Sequence, residues 1–264
     1  MRRMTRAALL AFGVFAYVCF LAAFAAGADY VTGAGIVRGL DAPGALSAPA
    51  AIAVDVALLA LFGITHSVMA RRAFKQRWTK LVPPAAERSV YVLTASICLG
   101  LIFWQWRALP GPIEPIWNVT GAGARAALWA LMGVGFVLTL VSTFLTDHFD
   151  LFGLRQVWLA ARGRAYTPVA FKARILYRLV RHPMMLGLLI VFWATPTMTW
   201  DRALLAAGMS AYIAIGIKFE ERDLERNFGE SYRRYRREVP AVFPLARLLS
   251  SGKRPTRDQS PTRG

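Results

Sequence analysis

Apolar residues along this chain come in blocks, separated by short stretches rich in arginine and lysine. Six blocks stand out, at 7–28, 49–70, 89–108, 124–145, 184–200 and 203–219. The first four are each about 20 residues long with few charges, enough for a helix to cross a hydrocarbon core of about 30 Å. The last two are shorter and meet around Trp200, Asp201 and Arg202, which predicts a tight helical hairpin whose depth the pattern leaves open. The expectation is an all-α fold, a polytopic transmembrane helical bundle of about six membrane helices.

Beyond the last block the period changes. Leu224, Phe228, Tyr232, Tyr235 and Val239 recur at helical spacing, with Arg and Glu on the other face. That is an amphipathic segment, too charged to span, and Gly229 divides it. The stretch from Ser250 is Ser, Pro, Arg and Thr, a composition that cannot bury a core. The expected organisation is therefore a membrane domain over 1–219, a cytoplasmic helical segment capping a cofactor over 220–249, and a disordered tail over 250–264. Arg2, Arg3 and Arg6 before the first block resemble a signal peptide, but 7–28 is too long for its apolar region.

Composition fits this picture. The chain is 56% hydrophobic with a net charge of +17, from 32 Lys and Arg against 15 Asp and Glu. The basic residues sit between apolar blocks, so they read as a topology signal and as contact with anionic lipid, not as a nucleic-acid surface. No motif that reads DNA or RNA appears. Basic and non-basic loops alternate: 71–88 carries Arg71, Arg72, Lys75, Arg77, Lys80 and Arg88, whereas 107–123 carries only Arg107 and Arg125 lies beyond it. Six crossings with both termini in the cytoplasm follow. The Ala- and Arg-rich composition suggests a bacterial inner membrane. Cys19 and Cys98 both fall inside blocks, so neither a disulfide framework nor a zinc site is expected, and no other metal is implied. No obligate protein partner is evident.

Polar groups concentrate on the cytoplasmic side. In Arg181-His182-Pro183-Met184-Met185-Leu186-Gly187, Pro183 suits the first position of a helix, whose free N–H groups favour an anion. Arg181 could pair with a carboxylate. The same residues also fit a plain cap with a positive-inside arginine. Glu220-Glu221-Arg222-Asp223 runs against the basic trend at a helix's membrane exit. Its carboxylates could accept from hydroxyls or an amine, or form a solvated face.

Taken together, Arg-His-Pro, Glu-Glu, Phe228-Gly229, Tyr232 and Tyr235 resemble the signature of membrane methyltransferases that include the isoprenylcysteine carboxyl and phospholipid methyltransferases. Met185 stands where those usually carry Tyr. His66-Ser67, Glu87-Arg88-Ser89-Val90-Tyr91, Leu151-Phe152-Gly153-Leu154-Arg155-Gln156 and the Met-Met pair are similar to the NnrU-related methanethiol S-methyltransferases, over roughly 8–245. The resemblance implies S-adenosylmethionine bound by Arg181, His182, Pro183, Met184, Gly187, Glu220, Glu221 and Tyr232. It implies a small thiol as methyl acceptor, beside Met185 and Arg155. A thiolate attacks far better than a thiol, so a base or positive field is expected. His66, His148 and His182 are candidates, with Asp147 orienting His148. His66 and the Asp147-His148 pair also fit structural hydrogen bonds or a helix end. Asp55 reads as structural. A lipid or prenyl-thiol methyltransferase, a sterol-type reductase and a non-enzymatic accessory protein remain open.

Overall fold

The computed structural model describes residues 5–35, 40, 45–111, 114–168 and 175–243. The expected tail from Ser250 lies outside the described residues. Among the described residues, ten α-helices run α1 (Arg6–Thr32), α2 (Ala48–Ala70), α3 (Arg72–Trp78), α4 (Glu87–Gln105), α5 (Ala122–Thr146), α6 (His148–Leu151), α7 (Leu154–Ala161), α8 (Pro183–Trp193), α9 (Trp200–Phe228) and α10 (Glu230–Glu238). Two-residue strands β1 (Trp117–Asn118) and β2 (Thr197–Met198) pair antiparallel. Helices α1, α2, α4, α5 and α9 are long and apolar enough to cross a membrane. Their large apolar residues are also exposed on the outer faces, Phe15, Ile64, Ile97, Val137 and Ile215 among them. In a polytopic bundle that outward surface meets lipid tails.

The two C-terminal blocks depart most from the sequence expectation. Helix α8 has 11 residues, not the 17 of block 184–200, and at 1.5 Å per residue spans about 16 Å. Pro196 disfavours helix at the residue before it, and the chain from Thr195 runs extended. The stretch after α8 is tied to the loop before α5: Val119 N–H donates to Pro196 O (2.9 Å) and Ile116 N–H to Met198 O (2.8 Å). Thr199 then caps α9, its hydroxyl accepting from Arg202 N–H at 3.2 Å. Helix α9 runs unbroken for 29 residues to Gly229, whose φ of 56° ends it. The expected block 203–219 and the first half of the amphipathic segment are thus one rigid helix. Glu220 and Glu221 are held in fixed register with the membrane-embedded turns above them.

Two packing features position the site. Helices α5 and α8 touch through glycines: a Cβ at Gly187 would lie 2.4 Å from Thr139 Oγ1 and 2.7 Å from Gly135 O. At the opposite end from Glu221, polar groups tie the loops together. Asp201 accepts from Leu109 N–H (3.1 Å) and Trp106 Nε1–H (3.4 Å). Buried Asp55 accepts from Arg107 N–H at 2.8 Å. Arg202 donates to Val31 O at 2.6 Å. The ends of α1 and α4 and the start of α9 therefore share one face of the bundle, and Asp55 has the structural place the sequence suggested. Between the two faces, Tyr30, Phe62, Ile102, Trp106, Leu205 and Met209 form the main apolar core.

Candidate functional site

The Arg181-His182 step and the start of α8 meet α9 at buried Glu221. Arg181 Nε donates to Glu221 Oε1 at 2.8 Å and Nη2 to the same oxygen at 2.5 Å. Arg181 Nη1 donates to Arg236 O at 2.9 Å and to Val239 O. The backbone repeats the link, Arg181 N–H to Pro240 O and His182 N–H to Ala241 O, each at 2.9 Å. The guanidinium thus clamps the chain after α10 onto the bundle. A buried pair of this kind is tolerable only because each charge is hydrogen-bonded as well as paired.

His182 is the N-cap of α8, with Pro183 buried at the first position. Its Nε2 lies 3.2 Å from Glu221 Oε1 and its Nδ1 3.5 Å from Glu220 Oε2. Burial alone would push the imidazole pKa down. Glu220 first, and then Glu221, outweigh it, so the value is raised and the charged form is favoured. Glu220 itself is exposed, whereas Glu221 is buried. Tyr232 of α10 is buried and its hydroxyl has no hydrogen-bond partner among the described residues. Burial, with Glu221 nearby, pushes that phenol up to about 12. Met184 is partly buried beside this cluster in sequence. Gly187 faces α5, as described above, and Met185 packs with Ile213, Ile217 and Val242.

His66 occupies a second cluster. It lies one turn inside α2, with the Tyr91 hydroxyl 2.6 Å from Nε2 and the Tyr212 hydroxyl 2.5 Å from Nδ1. Three helices, α2, α4 and α9, meet there. Tyr91 entered the sequence reading only as part of the Glu87–Tyr91 stretch that carries the family resemblance, without a role of its own. Nothing singled out Tyr212, whose only signal was a hydroxyl placed inside an apolar block.

Asp147, His148 and Arg155 form a third group at the turn after α5. Asp147 has a φ of 89°, and its carboxylate accepts from Asp150 N–H at 3.1 Å. His148 is buried and stacked on Phe144, with Nε2 2.7 Å from the Tyr17 hydroxyl and Nδ1 2.7 Å from Thr143 Oγ1. Burial pushes its pKa down. Arg155 donates to Asp150 Oδ1 (2.9 Å) and Thr167 O (2.8 Å). Between this turn and α4 lies a cavity of about 780 Å³, lined by Lys75, Glu87, Arg88, Thr146, Asp150 and Tyr166 among others. Among the described residues no group of three or more His, Cys, Asp or Glu is arranged to hold a metal ion.

The family model described as NnrU protein matches residues 56–243. The chain is 47% identical to the methanethiol S-methyltransferase of Mycobacterium tuberculosis, over 91% of this chain and 98% of that protein. It is 42% identical to methanethiol S-methyltransferase 2 of Bradyrhizobium diazoefficiens, over 90% and 91% of the two chains. It is also 35% identical to nurim of Rattus norvegicus, over 64% and 66%. No solved structure matches.

Proposed function

The chain belongs to the NnrU family, and from that premise we propose that it methylates methanethiol to dimethyl sulfide, with S-adenosylmethionine as donor. It is a membrane-embedded methyltransferase. The observation that carries the substrate is the identity to methanethiol S-methyltransferases along almost their whole length.

The residues of the α8–α9–α10 cluster fit a donor that carries an amine, a carboxylate and ribose hydroxyls. Exposed Glu220, held on one oxygen by His182, keeps acceptor capacity for an amine or hydroxyl. The buried, unpartnered Tyr232 hydroxyl needs a polar partner, since an unsatisfied buried group costs about 1–3 kcal/mol. The first-turn N–H groups of α8, from Met184 onward, suit a carboxylate. His182 lies between Glu220 and Glu221 and orders both. We assign Arg181 and Glu221 to holding this wall in place, because their charges are already spent on each other. When bound, S-adenosylmethionine supplies an activated methyl group on a sulfonium, so the protein's task is alignment and exclusion of water. The acceptor is small and apolar enough to arrive through the bilayer, past Met185. The membrane is the bacterial inner membrane and both termini are cytoplasmic in this reading, as the basic loops indicate.

Membranes from cells expressing the chain, incubated with methanethiol and S-adenosylmethionine, should release dimethyl sulfide into the headspace. The product should be absent without the donor and absent from empty-vector membranes. Inserted protein that binds the donor yet makes no dimethyl sulfide would move the acceptor to a lipid or prenyl thiol. Inserted protein that binds no donor would end the methyltransferase reading.

A further inference from the structure

Methylating a thiol leaves a thioether, so the thiol proton has to depart. The nucleophile is the thiolate, and making an ion at membrane depth is expensive unless the proton has a path out. This inference rests on the methyl-transfer reading above and asks where that path runs.

The His66 cluster has the required form. A neutral imidazole carries one N–H and one bare nitrogen. With a hydroxyl on each nitrogen, one tyrosine donates to the ring and the other accepts from it. The chain Tyr212–His66–Tyr91 can therefore pass a proton from end to end by exchanging tautomers. Tyr91 Oη is also 3.0 Å from Nδ1, so one hydroxyl reaches either nitrogen and can reset the ring. Neither tyrosine hydroxyl has another hydrogen-bond partner among the described residues, so each keeps capacity for a group beyond the chain. The His148 cluster differs on this point. Its Thr143 hydroxyl is committed to Leu140 O at 2.6 Å, which leaves no onward step, so that cluster is a tie between α1, α5 and α6.

The two ends of the chain face different surroundings. The Tyr212 ring packs on Phe62 and Gly63 of α2 and borders the α8–α9 cluster around Ile213, Ile217 and Val242. Glu220 lies eight residues further along α9, about 12 Å at 1.5 Å per residue. Gly216 falls between them on the same stripe, and a Cβ there would meet no heavy atom within 4 Å. We assign the small acceptor to that open space, between the donor cluster and Tyr212. At the other end, the Arg88 guanidinium lies 4.9 Å from the Tyr91 ring centre. Arg88 and Glu87 also line the cavity beside the turn after α5. The charged groups facing the network are Arg71 from the end of α2, Glu87 and Arg88 from α4, and Glu220 from α9.

We propose that Tyr212, His66 and Tyr91 form a proton relay that ionises the acceptor thiol and delivers its proton to water in the Arg88 cavity. The thiol S–H bond breaks and its proton goes to Tyr212 Oη. The Tyr212 proton goes to His66 Nδ1, the Nε2 proton to Tyr91 Oη, and the Tyr91 proton to cavity water. Sulfur keeps the electron pair and forms the S–C bond as the donor's methyl–sulfonium bond breaks, the donor leaving as a neutral thioether. One proton enters and one leaves, and the imidazole ends neutral in its other tautomer. Tyr212 touches the acceptor, whereas His66 and Tyr91 act through it.

The test uses Tyr212→Phe and Tyr91→Phe in the full chain, reconstituted in lipid vesicles. At neutral pH each should lose turnover on the order of 10²-fold, with S-adenosylmethionine affinity by equilibrium binding unchanged. The loss should close as pH rises to where methanethiol is itself ionised, because the relay is then not needed. A loss that is the same at every pH, or no loss at all, would overturn the relay. If either variant fails to insert, the wild type still decides: its solvent deuterium isotope effect on turnover should fade over the same pH rise, and an effect that is absent or constant sinks the idea. Gly216→Leu should raise KM for methanethiol and leave donor affinity alone; an unchanged KM would remove the acceptor from beside Tyr212. A wild type that makes no dimethyl sulfide defeats the methyl-transfer reading itself, which separates that failure from failure of the relay.

Discussion

His182 shows how much one side chain can depend on its neighbours. Two carboxylates outweigh its burial, so its folded pKa lies above its ordinary 6.5. A raised value means that the protonated form stabilises the fold. That contribution is fully present below the ordinary value and is lost as pH rises through the folded one. The thermal midpoint of the protein in detergent should therefore fall from about pH 6.5 upward. His182→Gln should flatten that part of the curve, and an unchanged slope in the variant would assign it to another group. Arg181 shows the complementary case. Its charge is neutralised by Glu221 and its N–H groups are shared between that carboxylate and two carbonyls. The residue that sequence reasoning offered as an anion binder is occupied in holding the site's own wall.

At the scale of elements, the α5–α8 contact decides where the signature sits. Helix α8 is too short to anchor itself by length, so close approach to α5 through Gly135 and Gly187 does the anchoring. Gly187→Val adds atoms where Thr139 Oγ1 and the Gly135 carbonyl already stand. It should cost about 1–3 kcal/mol by overpacking, read as a lower thermal midpoint and weaker donor binding together. Gly133→Ala, on the same α5 but with nothing within 4 Å, is the control and should be neutral or gain up to about 1 kcal/mol. Equal effects at both glycines would remove the close contact as the cause. The unbroken α9 has a related consequence: it carries Tyr212, Gly216, Glu220 and Glu221 on one rigid rod, so the proposed acceptor and donor sites move as a unit.

For the whole molecule, pairing of β1 with β2 brings the end of the short hairpin to the face that holds the 106–121 loop. The hairpin therefore reaches the same side as the ends of α1 and α4. In the proposed topology, with the basic loops cytoplasmic, that face is the outer one. In a Cys19→Ser, Cys98→Ser background, Glu114→Cys should react with an impermeant maleimide added to intact cells, and Gln76→Cys only after lysis. The reverse pattern would invert the orientation.

Helix class and the four long spans were legible in the chain because they follow from local period and from the cost of burying charge in lipid. The C-terminal signature was legible as a group of residues for the same reason: charged and kinked positions stand out in an apolar background. What the linear pattern could not decide was pairing over long separations. Only packing of α2, α4 and α9 put two tyrosines 25 and 146 positions away onto His66. Only the fold spent Arg181 on Glu221, 40 positions on. Hydrogen-bond partners in a helical bundle are set by which faces meet. That is a property of helix crossing and of small residues at contacts, to which the apolar period of any one helix is blind.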